Sequence, residues 1–145
     1  MRRKNIWANG IAYKASDDAA VLSITDQIIS SGDVVVLDGK IIIDTTTVHP
    51  DTTRDIASRF QQVGARFAAA PVFGATPAAE AGQLLIAFAG AEETYAVVSP
   101  LLKGVIAREV LFVGKDPEKA VLLKTTGYVF FLYIIPTPPS PRPPD

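Results

Sequence analysis

Hydrophobic positions along the chain fall into short blocks that alternate between the spacing of strands and the spacing of helices. The plainest example begins at residues 41–43, where three isoleucines precede the hydroxyl-rich segment 44–47. An unbroken β-branched run is typical of a parallel strand that is covered on both faces. Further along, Ile56, Phe60 and Val63 recur at the spacing of one helix face. This stretch therefore predicts a strand, a polar loop and a helix in succession.

The same alternation extends over most of the chain and predicts an α/β fold. In chain order, the pattern predicts strands at 10–15, 41–43, 66–72, 83–89 and 109–113, and helices at 16–29, 50–63, near Pro77, at 92–103 and from Pro117 onward. Strands that alternate with helices are typical of a mostly parallel sheet with helices on both faces. Residues 34–37 fit either a hairpin strand or an apolar connector, and we favour the connector.

Two of the predicted helices begin with residues that favour a first turn. Ser16 is the predicted N-cap of the first helix, and two acids follow it. Thr76 is the predicted N-cap of the short helix, and Pro77 is its first residue. Backbone N–H groups face outward at a helix start and favour an anion, so the turn before Thr76 is a candidate ligand site.

Composition excludes several classes of function. At 145 residues, of which 48% are hydrophobic, the chain is long enough for one domain with an ordinary core. Its net charge of −1 offers no electrostatic case for nucleic acid or an anionic membrane. The absence of cysteine removes disulfides and thiolate catalysis, and we predict no metal site. A membrane-spanning helix needs about 20 apolar residues, and the apolar run 128–135 is far shorter. We therefore expect no membrane span and a cytoplasmic protein.

Three groups of polar residues could carry chemistry, and each also has a structural interpretation. Four oxygen-bearing side chains at 44–47 stand where a parallel strand ends, which is the edge at which α/β sheets bind ligands, although threonines also form turns there. His49, the single histidine, is interpreted as a helix-entry residue before Pro50. Lys124 interrupts an apolar run, so burial would lower its pKa and suit it to proton transfer. The alternative is a lysine that extends its ammonium into solvent.

Three sequence motifs stand in the chain in a characteristic order. Residues 44–50 read DTTTVHP, residues 70–82 read APVFGATPAAEAG and residues 113–127 read VGKDPEKAVLLKTTG. They are similar to D-x-S-T-x-x-P, to A-P-V-S-G-G-x-x-G-A-x-x-G and to the G-x-x-x-K-x-x-x-N helix. These are motifs of the β-hydroxyacid dehydrogenases, the family of 3-hydroxyisobutyrate and 6-phosphogluconate dehydrogenases. The resemblance covers roughly residues 16–127.

The resemblance implies an enzyme that oxidises a hydroxyl carbon of a small hydroxy acid by hydride transfer to NAD or NADP. It assigns proton relay to Lys124, substrate binding to Thr46, Phe73, Gly74 and Ala75, and cofactor binding to Thr47, Ser16 and Ala20. The substrate carboxylate would rest on the loop from Phe73 to Ala75, because exposed N–H groups at a helix start favour an anion.

The chain also departs from the family pattern. Phe73 replaces a serine, Ala75 replaces a glycine, and Tyr128 replaces the asparagine that lies one helical turn beyond the lysine. None of the ten glycines forms the G-x-G-x-x-G turn that would hold the cofactor diphosphate. We therefore predict a partial Rossmann-like fold that lacks the first strands and this turn, with an exposed sheet edge through which copies could associate.

Three parts are expected: an N-terminal segment at 1–15, the C-terminal part of an NAD(P)-binding domain at 16–127, and an apolar, β-prone and then proline-rich tail at 128–145. Codons for residues 127–129 can contain GTATGT, an intron 5′ splice sequence, so we hypothesise that the tail is translated intron in a truncated gene product. The leading interpretation is a fragment of an NAD(P)-dependent dehydrogenase with little activity alone. The alternatives are a non-catalytic interaction module and a product without function.

Overall fold

A computed structural model describes residues 10–31 and 34–134 of the chain, which form one mixed sheet flanked by helices. The strands are β1 Gly10–Tyr13, β2 Ile41–Asp44, β3 Arg66–Ala69, β4 Val72–Phe73, β5 Leu84–Ala89 and β6 Ala107–Gly114. The helices are α1 Asp18–Ser31, α2 Val34–Leu37, α3 Pro50–Gln62, α4 Thr76–Glu80, α5 Glu92–Leu102 and α6 Glu118–Ile134.

The sheet changes direction partway across. Its order is β1-β2-β3-β5, after which both β4 and β6 pair with β5. β1, β2 and β3 are parallel to one another, and β6 is parallel to β5, but β5 runs antiparallel to β3 and β4. Parallel pairings are thus the majority among the described strands. The predicted Rossmann-like α/β fold is confirmed, and the reversal at β5 is a feature that the hydrophobic pattern did not reveal.

Helices cover both faces of the sheet and divide the core into two clusters. Ile42 and Ile43 are both buried, but they enter different clusters because successive side chains of a strand point to opposite faces. One cluster is covered by α1, α3 and α6, and its members include Val21, Ile42, Ile56, Phe60 and Val121. The other is covered by α5, and its members include Ile43, Phe88, Val98 and Val110.

The unit formed by β2, α3 and β3 follows the sequence pattern closely. His49 is the N-cap of α3, and its Nδ1 accepts a hydrogen bond from the Asp51 N–H at 3.1 Å, as expected of a helix-entry residue. At the other end, Gly64 adopts a φ of 77°, which an L side chain rarely adopts. Phe60 of α3 then stacks on Phe67 of β3 with 5.8 Å between ring centroids. Both rings belong to the cluster beneath α3.

The structure decides between the two interpretations of residues 34–37 and corrects one prediction at the start of α1. Residues 34–37 form the short helix α2, so the hairpin interpretation is wrong and the connector interpretation is right. Ser16 is not the N-cap of α1, because the Asp17 carboxylate accepts the hydrogen bond from the Ala20 N–H at 2.9 Å. The Asp17 carbonyl oxygen also accepts the hydrogen bond from the Val21 N–H. Asp and Ser cap helices about equally well, so the sequence alone could not choose between neighbours.

One further prediction fails at α4, and α6 extends into the segment described above as β-prone. Thr76 lies inside α4, whose N-cap is Ala75 and has no side-chain capping hydrogen bond. The backbone of residues 128–134 continues α6, although its composition favours a strand. Each residue that joins an established helix adds one hydrogen bond, so extension is favourable. No proline follows the start of α6 until Pro136, so none interrupts the helix over 128–134. Predictions for residues 1–9 and 135–145 lie outside the described residues.

β1 and β6 are edges of the sheet within the residues that the structure describes. β1 pairs with β2 alone, and Ile11 on this strand is exposed. Leu111 and Phe112 are likewise exposed on β6. An unpaired edge can recruit another strand, but self-association of this chain stays a prediction. None of the described helices combines the length and hydropathy needed to cross a bilayer.

Candidate functional site

The ends of β1 and β2 lie side by side and are joined by hydrogen bonds from the threonine turn, residues 45–47. Tyr13 pairs in register with Asp44 where the two parallel strands end. The N–H and the hydroxyl of Thr45 both donate to the Tyr13 carbonyl oxygen, at 3.0 and 2.9 Å. The Ala15 N–H donates to the Thr46 hydroxyl oxygen at 2.8 Å. The turn therefore fixes the chain on both sides of Lys14, and we call this edge the rim.

Asp44 supports the threonine turn from within the core. It is 1% exposed, and its Oδ1 accepts a hydrogen bond from the Thr46 N–H at 2.8 Å. Burial raises the pKa of Asp44, and hydrogen bonds from Thr46 oppose that effect only in part. The neighbouring Tyr13 hydroxyl has its pKa raised well above the ordinary tyrosine value, mainly by burial and secondarily by the Asp44 charge. The rim thus rests on a buried carboxyl that is costly to ionise.

We expect Asp44→Asn to change how the stability of the protein depends on pH. Folding raises the pKa of Asp44 above its ordinary 3.8, so the folded state holds this proton more tightly than the unfolded state. The stability that the proton contributes is lost as pH rises from about 4 through the raised pKa. An asparagine side chain cannot ionise and escapes this loss. We therefore expect the free energy of unfolding of the variant minus that of the natural chain to increase as pH rises over this range. Urea titrations at a series of pH values measure this difference. Parallel pH profiles would contradict the assignment.

The predicted roles of Thr46 and Thr47 correspond to different environments. Thr46 is 3% exposed, its hydroxyl oxygen accepts a hydrogen bond from the Ala15 N–H, and its own backbone N–H donates to Asp44. Thr47 is exposed beside it. The structure therefore places Thr46 as a support of the rim and leaves Thr47 as the hydroxyl of the turn that a ligand can reach directly. Their roles toward substrate and cofactor stay predictions.

Lys124 and Phe73 are brought into contact although they are distant in sequence. The Lys124 Nζ lies 4.2 Å from the centroid of the Phe73 ring, a cation–π distance. On the next turn of α6, a Cβ at Gly127 would lie 3.6 Å from Phe73 Cε1, so the ring lies close to the helix. Burial lowers the pKa of Lys124, and the charge of Lys14 lowers it further. Lys124 is thus partly withdrawn from water.

The loop that carries Phe73 continues through an exposed turn at Gly74 and Ala75. Gly74 has a φ of 130°, and a Cβ there would approach Leu84 Cδ2 to 2.7 Å. L side chains rarely adopt this φ, so the backbone favours glycine at this position. Because Asp44 is level with Ala69 in the sheet, β4 extends past the ends of β1 and β2. The Phe73 loop thus projects beyond the rim on the side where those strands end.

The two remaining predicted cofactor residues lie at the start of α1. Ser16 is exposed, and its hydroxyl donates to the Asp17 carboxylate at 2.9 Å. The Ala20 N–H donates to the same carboxylate. A negative charge therefore already occupies this helix start, which is unfavourable for a diphosphate. The residues Ser16 and Ala20 lie on the segment that leaves the rim, and their cofactor role stays a prediction.

Sequence reasoning missed Lys14 and Asp18. Lys14 follows β1 where polarity changes from apolar to charged, the same signal that identified residues 44–47 after β2. Asp18 accepts hydrogen bonds from the His49 N–H and from the Thr52 hydroxyl, so it ties α1 to the loop before α3. Within the described residues, no group of three or more acidic or histidine side chains could hold a metal ion.

A family profile and individual proteins both match this chain in sequence. The family profile for the NAD-binding domain of 6-phosphogluconate dehydrogenase matches residues 12–114. The NADH-dependent oxidoreductase ucdB of Aspergillus ustus is 33% identical over 98 residues, which are 68% of this chain and 32% of that protein. The mitochondrial 3-hydroxyisobutyrate dehydrogenase of Rattus norvegicus is 34% identical over 76 residues, which are 52% of this chain and 22% of that protein.

A solved structure shares the fold. The 3-hydroxyisobutyrate dehydrogenase of Mycobacterium tuberculosis, determined with L-serine, superposes with a TM-score of 0.72 at 16% identity. The match covers 85% of this chain and 40% of that one. At this identity the likeness shows the fold alone. The chain spans about a third or less of the length of the two curated relatives described above.

Proposed function

Because the chain belongs to the family of the NAD-binding domain of 6-phosphogluconate dehydrogenase, we propose that it forms the nicotinamide-facing part of an NAD(P)-dependent 3-hydroxyacid dehydrogenase. The observation that carries this proposal is the position of Lys124. Its partly buried amine projects from α6 near Lys14 and Phe73, on the side of the sheet where the threonine turn lies. Ligands of α/β folds bind at that side.

Lys124 is the proposed proton relay. A lysine of ordinary pKa is fully protonated near neutral pH and cannot accept a proton from a hydroxyl group. Burial lowers the pKa of Lys124, and the charge of Lys14 lowers it further. The lower pKa lies closer to the working pH, so a larger fraction of the amine is free to accept a proton. The proton of the substrate hydroxyl would pass to Nζ as the carbon is oxidised. Nearby Gly74 and Ala75 are exposed and offer the loop on which the substrate carboxylate would rest.

The rim fits one end of a nicotinamide cofactor. Thr47 presents an exposed hydroxyl beside the fixed turn, and Ser16 presents another where the chain leaves β1, so both can contact a ribose or carboxamide. The bound nicotinamide would supply the hydride acceptor. The printed sequence has no G-x-G-x-x-G turn for the diphosphate. We therefore propose weak cofactor binding and little turnover by this chain alone.

A second candidate function is supported by Phe73 itself. The ring stands 4.2 Å from the Lys124 ammonium, at the position where the related motif has a serine. A ring in this place restricts access to the amine and removes a hydroxyl that could bind substrate. A non-catalytic module that kept the family fold would show these features. Cofactor binding distinguishes the two functions, because such a module has no need of the cofactor.

Calorimetric titration with NADH and NADPH tests the proposal. We expect saturable heat with a dissociation constant on the order of 0.1–1 mM, since few of the contacts of a complete site are available. ADP-ribose, which lacks the nicotinamide, is the matched control and should bind more weakly, because the rim is proposed to contact the nicotinamide end. No heat from a folded sample would contradict the dehydrogenase proposal and favour the module.

A further inference from the structure

The exposed residue Thr47 lies in the loop 45–49, which joins β2 to α3 without regular structure. The residues on either side of Thr47 are nevertheless buried. Thr46 is 3% exposed, and Val48 is 5% exposed and belongs to the core cluster beneath α3. Thr47 is therefore the point at which the loop faces solvent, and the direction of its side chain depends on what holds the loop at each end.

The end of the loop nearest the sheet is held by Asp44 and Ala15. The Thr46 N–H donates a hydrogen bond to Asp44 Oδ1 at 2.8 Å, and the Thr46 hydroxyl oxygen accepts one from the Ala15 N–H at 2.8 Å. These two bonds fix the residue directly before Thr47. One fixed end alone would leave the backbone dihedrals that follow it undetermined.

The other end of the loop is held by Asp18, the first residue of α1. Its carboxylate accepts a hydrogen bond from the His49 N–H, with 3.1 Å to Oδ2, and another from the Thr52 hydroxyl at 2.5 Å. Thr52 belongs to the first turn of α3, so one side chain fixes both the end of the loop and the helix that follows it. Hydrogen bonds to a carboxylate are stronger than those to a neutral acceptor, and Asp18 is half-buried, which limits competition from water.

We propose that Asp18 is a positioning residue, which holds Thr47 in the direction needed to contact the nicotinamide end of the cofactor. Only two residues separate Thr46 from His49, so fixing both of these restricts the backbone dihedrals of Thr47 to a narrow range. The loop is then ordered on folding and not on binding, which favours affinity. The contact with the cofactor rests on the proposed function, whereas the restraint of the loop does not.

A purely structural role for Asp18 would consist of joining α1 to α3, and Asp26 provides the matched comparison. Asp26 also lies on α1 and also reaches α3, where its Oδ1 is 2.8 Å from Arg59 Nη1. It follows Asp18 by about 12 Å along the helix, at 1.5 Å per residue. Removal of either acid breaks a link between the two helices, but only the Asp18 link includes the loop.

The restraint of the loop is tested without any ligand, by measuring the exchange of backbone amides with water by NMR in the full chain. We expect the His49 N–H to exchange about fivefold faster in Asp18→Ala, the factor that corresponds to one hydrogen bond. Asp18→Asn keeps an acceptor oxygen and should restore most of the protection. Asp26→Ala should leave the His49 exchange rate unchanged. Circular dichroism verifies that each variant is folded.

NMR titration of the same variants with NADH and with ADP-ribose tests the role of Asp18 in cofactor binding. We expect Asp18→Ala to weaken NADH binding about fivefold and to leave the binding of ADP-ribose, which lacks the nicotinamide, unchanged. Asp18→Asn should lose less affinity for NADH, and Asp26→Ala should bind both ligands as the natural chain does. A loss confined to the ligand that carries the nicotinamide is not explained by general destabilisation.

The inference would be overturned by an unchanged His49 exchange rate in Asp18→Ala, or by equal weakening of NADH binding in Asp18→Ala and Asp26→Ala. Faster exchange in Asp18→Ala with undiminished NADH affinity would overturn it as well, and would leave the proposed function standing. Absence of NADH binding by the folded natural chain would instead remove the proposed function, and the cofactor role of Asp18 with it.

Discussion

Replacing Lys124 with alanine is expected to lower the turnover of a 3-hydroxy acid by a factor of about 10²–10⁴ while leaving cofactor affinity nearly unchanged. The loss follows from the proposed role of the amine, since no other group would accept the hydroxyl proton at that position. Cofactor affinity is spared because the threonine turn is held by β1 and Asp44 and not by α6. Cofactor reduction measured by absorbance, together with calorimetry, gives the two quantities separately.

Lys124→Arg is the matched control for this prediction. Arginine keeps a positive charge that can lie over the Phe73 ring, but its pKa is too high for it to release and accept protons. A structural role of Lys124 would tolerate arginine, and a proton relay would not. Turnover that survives in either variant would contradict the relay. An ordinary lysine pKa for Lys124, measured by NMR in the natural chain, would remove its physical basis.

Phe60→Ala is expected to reduce the free energy of unfolding by about 3–5 kcal/mol. Phe60 is 0% exposed, stacks on Phe67 and lies between α3 and the sheet. Truncation removes buried apolar surface and leaves a cavity that the neighbouring backbone elements cannot fill. Natural domains have only about 5–15 kcal/mol of stability, so a substantial part of it would be lost. Urea unfolding followed by circular dichroism measures the change.

The control for Phe60 is a second phenylalanine that is less buried. Phe112 on β6 is 38% exposed and contacts Tyr95 with 5.1 Å between ring centroids. Phe112→Ala should cost about 1 kcal/mol, mainly through this ring pair. Equal losses from the two substitutions would show that burial beneath α3 does not dominate stability. The core assignment would then be wrong.

The fold was predictable wherever a single segment carried its own signal. The isoleucine run at 41–43, the helix-entry residues before α3 and the glycine after it each specify local geometry. The direction of β5 was not predictable, because a buried apolar run reads the same in parallel and antiparallel pairing. The helical backbone of 128–134 was missed for the opposite reason, since its β-prone composition yields to the helix that precedes it.

The candidate site was predictable in part. The motifs selected Lys124 and the threonine turn, and the structure puts both on the side where β1 and β2 end. The contact between Phe73 and Lys124 could not be derived from spacing, because it depends on how far β4 extends past the rim. Lys14 was missed because a lone lysine after a short strand has many ordinary explanations. Its interest comes from the structure, in which its charge lowers the pKa of Lys124.

The long sequence separation between the two amines has a consequence for the order of folding. Lys14 is placed by the first described strand, whereas Lys124 arrives on the last described helix, after every described strand of the sheet has been synthesised. Contacts between distant parts of a chain form late, since closing a long loop costs entropy before any contact compensates for it. A nascent chain can therefore complete its rim well before the proposed proton relay is in place. Among the described elements of this sheet and its helices, the one that carries the proposed relay is the last to leave the ribosome.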